Sequence, residues 1–160
     1  MDPEKQHHRT TSRTKARRRA VDVLFEADQR GRYSPLELSD LLQERLSLTA
    51  AQTALPQYSA DIVDGVATHL DAIDEVLTTY SQGWALHRMP AVDRAILRMA
   101  VWELVFNDEV DDAVVISEAV NLAADLSTDG SPAFVNALLD RLRVLGAAIR
   151  EELRGISPSA

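Results

Sequence analysis

Apolar residues with a helical period follow the basic N-terminal segment of the chain. From Ser12, the predicted N-cap, one side of the pattern is apolar until Gly31 ends it. The apolar positions on this side are Ala16, Ala20, Val23, Leu24 and Ala27. A second helix opens at the capping box of residues 34–37 (Ser-Pro-Leu-Glu) and fades near residues 47–50. The chain therefore begins with two amphipathic helices.

The clearest apolar stripe lies in residues 59–82. Ser59 is the predicted N-cap, and Gly83 ends the pattern. At about 100° per residue, the apolar side chains fall within an arc of about 140°. They are Ile62, Val63, Val66, Leu70, Ile73, Val76, Leu77 and Tyr80. We expect one long helix here.

The segment from Ala91 to Asn107 is apolar on nearly all sides, which predicts a central, buried helix. Glu103 interrupts this apolar surface, and a buried carboxylate needs a cationic partner. We expect a structural ion pair with an arginine of another helix, or a partly exposed edge position. A catalytic role is the less favoured interpretation.

Two more helical patterns complete the chain. One face of the first carries Val115, Ile116, Ala119, Leu122, Ala123 and Leu126. After a loop at residues 127–130, Ser131 and Pro132 start a last helix, which is expected to run past Gly146 to about Leu153. Its predicted inward positions are Phe134, Leu138, Leu142, Leu145 and Ile149. With a short helical turn near residues 84–89, the pattern predicts an all-α protein of six long helices and no strand.

Residues 1–11 and 155–160 lack this periodicity and are expected to be disordered, which leaves residues 12–154 as a single helical domain. The chain of 160 residues has no cysteine, so disulfides, cysteine-ligated metals and thiol nucleophiles are excluded. No apolar stretch reaches the roughly 18 residues that a membrane span needs, and the N-terminus is charged. These features predict a cytoplasmic protein.

The net charge of −8 hides a strong asymmetry. Residues 1–19 hold seven of the 17 basic residues and two acids, so they carry +5, whereas residues 20–160 carry −13. A basic segment on an acidic body is typical of a protein that binds a polyanion at one end, although a solvated tail is an open alternative. Five of these bases lie on the first turns of a predicted helix, which would hold their charges in a fixed array. They are Arg13, Lys15, Arg17, Arg18 and Arg19.

Candidate catalytic groups are few. His7 and His8 lie in the predicted disordered arm, and His69 and His87 lack the spacing of a metal-binding pair. The chain contains neither a phosphate-binding glycine motif nor a G-x-S-x-G nucleophile motif. We therefore expect no catalytic residue, no metal and no cofactor.

Three sequence blocks resemble one known family. The first is RTKARRRAVDVLF at residues 13–25, and the second is MPAVDRAILRMA at residues 89–100, with Trp84 before it. The third comprises ISEAVNLA at residues 116–123 and FVNALLD at residues 134–140. In this order and spacing, over residues 13–143, the blocks resemble the NusB family of bacterial transcription antitermination factors.

The resemblance implies a fold of about seven helices in two packed three-helix subdomains, at about residues 12–82 and 83–154. It also implies a protein that is not an enzyme. NusB-type proteins pair with NusE, a ribosomal protein of the small subunit. The pair binds the boxA element of nascent RNA and supports transcription of ribosomal RNA operons, with other antitermination factors and RNA polymerase as indirect partners.

Candidate site residues follow from the charge pattern and from the resemblance. Single-stranded RNA needs a cationic track with flat side chains or polar edges, and the five bases at residues 13–19 supply the track. By resemblance, Phe134 is the stacking candidate, with a core position as the alternative, and Ser131 and Asn136 accompany it. The resemblance assigns Phe25 and Asp93 to the protein partner, and the acidic body suits a basic ribosomal protein. Asp93 would also favour its helix N-terminus as a first-turn acid.

Two other functions stay open at this point. The first is a NusB-like interaction domain associated with ribosomal RNA processing or methylation, without catalysis of its own. A fused methyltransferase would need a cofactor domain and a cysteine, and the sequence contains no cysteine. The second is an interaction protein that hides its RNA site by self-association as a homodimer.

Overall fold

The computed structural model describes residues 11–47, 54–82 and 84–154, and within these ranges the chain is helical without a strand. The predicted arm, apart from Thr11, and the predicted tail lie outside the described residues. The helices are α1 (Ser12–Gln29), α2 (Pro35–Ser47), α3 (Gln57–Thr68), α4 (Leu70–Tyr80), α5 (Ala91–Val101), α6 (Asp112–Leu126), α7 (Ser131–Val144) and α8 (Gly146–Arg154). A 3-10 turn at Leu86–Arg88 precedes α5, and a π-helical turn at Trp102–Phe106 follows it.

Local hydrogen bonds determine where the first two helices begin and end. Thr11 caps α1, since its hydroxyl accepts the N–H of Thr14 at 3.0 Å, so the predicted cap at Ser12 is wrong by one residue. Gly31 ends α1 as predicted, with a φ of 66° that favours glycine. The capping box of α2 is confirmed, because the N–H of Glu37 donates to the Ser34 hydroxyl at 3.1 Å.

Helix α5 lies at the centre of the fold, as its apolar sequence predicts. All residues from Ala95 to Val101 are buried, and α1, α3, α4, α6 and α7 pack around the helix. The π-helical turn extends it, with the N–H of Asn107 donating to the carbonyl of Trp102 at 3.2 Å. The wider turn buries three consecutive residues at 103–105.

Eight α-helices occupy the described ranges, so the expectation of about seven is corrected. The segment predicted as one helix at 59–82 divides at His69, whose φ of −115° interrupts the helix. The predicted cap Ser59 instead lies buried inside α3 and donates to the carbonyl of Ala16 at 2.6 Å. The last predicted helix divides at Leu145, which is exposed rather than inward. Neither break contains proline, and the apolar period continues across both.

Two ion pairs show that α1 and α5 run antiparallel. Arg17, near the start of α1, contacts Glu103 just after α5, whereas Asp28, near the end of α1, contacts Arg94 in the first turn of α5. The two ends of this helix pair therefore present different residues. In the described parts of the chain, no helix is both long and apolar enough to cross a membrane.

Candidate nucleic-acid interface

The start of α1 carries the exposed part of the predicted cationic track. Lys15 and Arg18 are exposed, on the side of the helix away from its buried alanines, and Arg19, nearer the buried side, is partly exposed. Asp22 lies one turn further along and interacts electrostatically with Arg18 and Arg19. The first turn has no acidic residue, so the positive charge is concentrated at the N-terminal end.

Arg17 does not belong to this exposed track, which corrects the sequence-based expectation. Its side chain is 2% exposed, and its Nε donates to Glu103 Oε1 at 2.9 Å. A second bond runs from Nη2 to Glu103 Oε2 at 2.9 Å, and Nη1 lies 3.4 Å from Glu118. A phosphate could reach this guanidinium only if both carboxylates were displaced. The expected ion pair of Glu103 with an arginine of another helix is confirmed.

A hydrogen-bond network surrounds the Arg17–Glu103 pair. The Tyr58 hydroxyl donates to Glu103 at 2.7 Å and accepts from the Asn107 amide at 3.1 Å. Burial lowers the pKa of Arg17, but the hydrogen bond and the charge of Glu103 outweigh this effect, so its pKa is raised overall. Burial, followed by the charge of Glu103, raises the pKa of Tyr58. The Arg17 guanidinium therefore stays charged and the tyrosine stays protonated.

Arg13 occupies the border between this network and solvent. Its guanidinium carbon lies 4.3 Å from the centre of the Tyr58 ring, within the range of a cation–π contact. It also lies 4.0 Å from the carboxylate of Glu109. Arg13 is thus exposed but held on the tyrosine side of the helix, apart from Lys15 and Arg18.

The other predicted RNA residues lie where α6 connects to α7. Ser131 is 2% exposed, and its hydroxyl donates to Ser127 at 3.0 Å and contacts Thr128 at 2.7 Å, so it holds the loop rather than facing solvent. Phe134 is half-buried and meets Trp84 edge to face, with ring centres 4.7 Å apart. These rings line a groove of about 420 Å³. Asn136 is exposed and lines a different groove, between α6 and α7.

Asp93 is buried, contrary to its expected place on a partner-facing surface. It is 0% exposed, and its Oδ1 accepts a hydrogen bond from the Ser127 hydroxyl, which continues to Ser131. The other carboxylate oxygen is buried without a hydrogen-bond partner. Asp93 therefore supports the loop before α7 from the first turn of α5. Phe25, the other expected partner residue, is half-buried against the core.

The structure thus divides the predicted site into two groups. The basic start of α1 lies near Glu103, whereas Ser131 connects through Ser127 to Asp93. Ten residues separate Asp93 from Glu103, so the groups lie roughly 15 Å apart along this axis. The sequence pattern did not indicate that Tyr58 belongs to the first group. It indicated Trp84 only as the residue before one of the three sequence blocks. A half-exposed aromatic beside a basic cluster becomes recognisable only once the helices are packed.

Comparisons with known proteins agree with the fold and the sequence blocks. The profile of the NusB family matches residues 14–143. A transcription antitermination protein NusB from Beutenbergia cavernae is 53% identical over 145 residues, which cover 88% of this chain and 95% of that protein. The structure of T. maritima NusB superposes with a TM-score of 0.72 at 29% identity, covering 91% of this chain and 99% of that one. A NusB chain crystallised with NusE and double-stranded RNA gives a TM-score of 0.62 at 25% identity, covering 88% of this chain and 96% of that one.

The fold and the site together define a class of all-helical proteins in which the first helix begins with exposed basic residues. A buried arginine of the same helix lies beneath them and is held by carboxylates. The family match over most of the chain makes the assignment specific. The chain belongs to the NusB family.

Proposed function

We propose that this protein is a transcription antitermination factor that binds boxA-type single-stranded RNA together with NusE and supports transcription of ribosomal RNA operons. Other antitermination factors and RNA polymerase would be indirect partners. The protein acts by binding, in the cytoplasm, without catalysis. The observation that carries the proposal is the concentration of exposed basic side chains at the start of α1 in a chain of this family.

The RNA surface that we propose has two parts. Arg13, Lys15, Arg18 and Arg19 attract phosphates along α1, and Arg17 supports them from the interior. Near the connection between α6 and α7, Phe134 and Asn136 offer an aromatic face and an amide edge, which are the groups that unpaired bases require. Ser131 acts there through the loop that it holds.

The partner surface that we propose lies around Phe25 and the N-terminal end of α5. Residues 20–160 carry −13, which complements a basic ribosomal protein. Because Asp93 is buried, it would influence this surface by holding the loop at 127–131, rather than by pairing directly with a basic group. We further propose one domain at residues 12–154, with subdomains at about 12–82 and 83–154.

The test is titration of the protein with a fluorescent boxA RNA and with a scrambled RNA of the same composition, each with and without NusE. We expect tighter binding of boxA RNA and a further gain in affinity with NusE. Equal affinity for both RNAs in both conditions would contradict the proposal. Sizing of the free protein in the same buffer distinguishes a monomer from a homodimer.

A further inference from the structure

The ring of Tyr58 has a fixed position beneath Arg13. Its hydroxyl makes two hydrogen bonds, to Glu103 at 2.7 Å and from Asn107 at 3.1 Å, so the ring cannot turn away without breaking both. The indole of Trp102 lies on its flank, with ring centres 6.4 Å apart. Tyr58 is therefore a rigid support, because the buried Arg17–Glu103 pair anchors the carboxylate to which it is bonded.

The ionic contact that competes with the Tyr58 ring for Arg13 is weak. The carboxylate of Glu109 lies 4.0 Å from the Arg13 guanidinium, and the two side chains are 48% and 77% exposed. An ion pair that is so exposed contributes little and is screened by salt. The contact with the tyrosine ring, at 4.3 Å, is thus the more specific restraint on the guanidinium.

We propose that Arg13 and Tyr58 form a stacking platform for one unpaired RNA base. The base packs on the guanidinium plane of Arg13, and Tyr58 is a positioning residue that holds this plane in place. The proposal rests on the proposed RNA-binding function and specifies one of its contacts. Unpaired bases stack on guanidinium planes as well as on aromatic rings, which a lysine ammonium cannot imitate.

This role differs from that of a phosphate-binding charge in a measurable way. A charge contact sets the salt dependence of RNA binding, with about 0.7 counterions released per phosphate on a single strand. A stacking contact contributes affinity without changing this slope. Arg13→Lys keeps the charge but removes the planar group, so it separates the two roles.

The experiment compares Arg13→Lys with the matched control Arg30→Lys, which changes an exposed arginine at the far end of α1, outside the proposed RNA surface. Each protein is titrated with boxA RNAs that carry 2-aminopurine at one position at a time, over a series of salt concentrations. We expect Arg13→Lys to weaken binding at least fivefold, with an unchanged salt slope and loss of the fluorescence change at one position. Arg30→Lys should keep both affinity and signal.

Tyr58→Phe provides a second test, because it keeps the ring but removes both hydroxyl hydrogen bonds. We expect it to weaken RNA binding less than Arg13→Lys and to reduce the 2-aminopurine signal at the same position. Parent-like affinity and signal for Arg13→Lys would overturn the platform while the RNA-binding function stands. Failure of the parent protein to bind any of the RNAs would overturn both.

Discussion

Replacing Arg17 by Met tests whether the basic helix start depends on the buried ion pair. The change leaves Glu103 and Glu118 buried without the cation that both of them contact. Removal of one partner from a buried pair typically costs about 3–5 kcal/mol. Tyr58 still donates to Glu103 and Thr14 still donates to Glu118, so we expect a loss near the lower end, about 3 kcal/mol.

The assay is urea unfolding at pH 7, followed by tryptophan fluorescence and by circular dichroism. Arg143→Met is the matched control, because Arg143 pairs with Asp140 on the surface, with 46% and 53% of the two side chains exposed. It should change the free energy of unfolding by less than about 0.5 kcal/mol. The double change Arg17→Met with Glu103→Met should recover part of the loss, because an apolar pair replaces an unpaired charge.

A decrease in the free energy of unfolding of less than about 1 kcal/mol for Arg17→Met would refute the reasoning. Two buried carboxylates that lose their shared cation should destabilise the fold by more than this. The same variant also checks the correction to the cationic track. Under conditions in which it is fully folded, its RNA binding should keep the salt slope of the parent, because Arg17 is buried and its guanidinium contacts two carboxylates. A slope reduced by about 0.7 would instead identify Arg17 as a phosphate contact.

Three further predictions follow from the packing. Alanine at Lys15, Arg18 and Arg19 should reduce the slope of log affinity against log salt by about 2, measured by RNA titration; an unchanged slope would exclude these residues as phosphate contacts. Gly65→Ala should lower the thermal midpoint, because its Cβ would overlap the indole of Trp102 and overpacking costs about 1–3 kcal/mol, whereas Gly146→Ala, in open space, should not. Burial lowers the pKa of His69, stacked on Phe106 at 3.8 Å, below its ordinary 6.5, so the unfolded chain takes up the proton first and stability falls as the pH drops below about 6.5. Urea midpoints for His69→Gln should fall less steeply between about pH 7 and pH 5; parallel curves would contradict the assignment.

Much of this fold could be predicted from the sequence, because the apolar period reports burial directly. The central position of α5 and the pairing of Glu103 with an arginine are both confirmed. The sequence also indicated which arginine forms this pair. At about 100° per residue, Arg17 lies only about 20° from the buried Leu24 on the helix wheel, so it too was a charge on an apolar face.

The remaining features depend on contacts between segments that are distant in sequence. The hydroxyl that binds Asp93 comes from Ser127, 34 residues away, and no local pattern indicates this bond. The break at His69 has no proline or glycine to mark it, and α3 and α4 keep one apolar period across it. Which basic side chains are exposed likewise depends on α3 and α6, which cover one side of the start of α1.

The π-helical turn at residues 102–106 acts as a one-residue insertion in an otherwise regular helix. If the same residues formed an ordinary α-helical turn instead, everything that follows would be rotated by about 100° relative to α5. Either Glu103 would then turn away from Arg17, or the residues after it would turn away from the core that α8 covers. The π-helical turn therefore allows Glu103 and the two residues after it to face the interior at the same time.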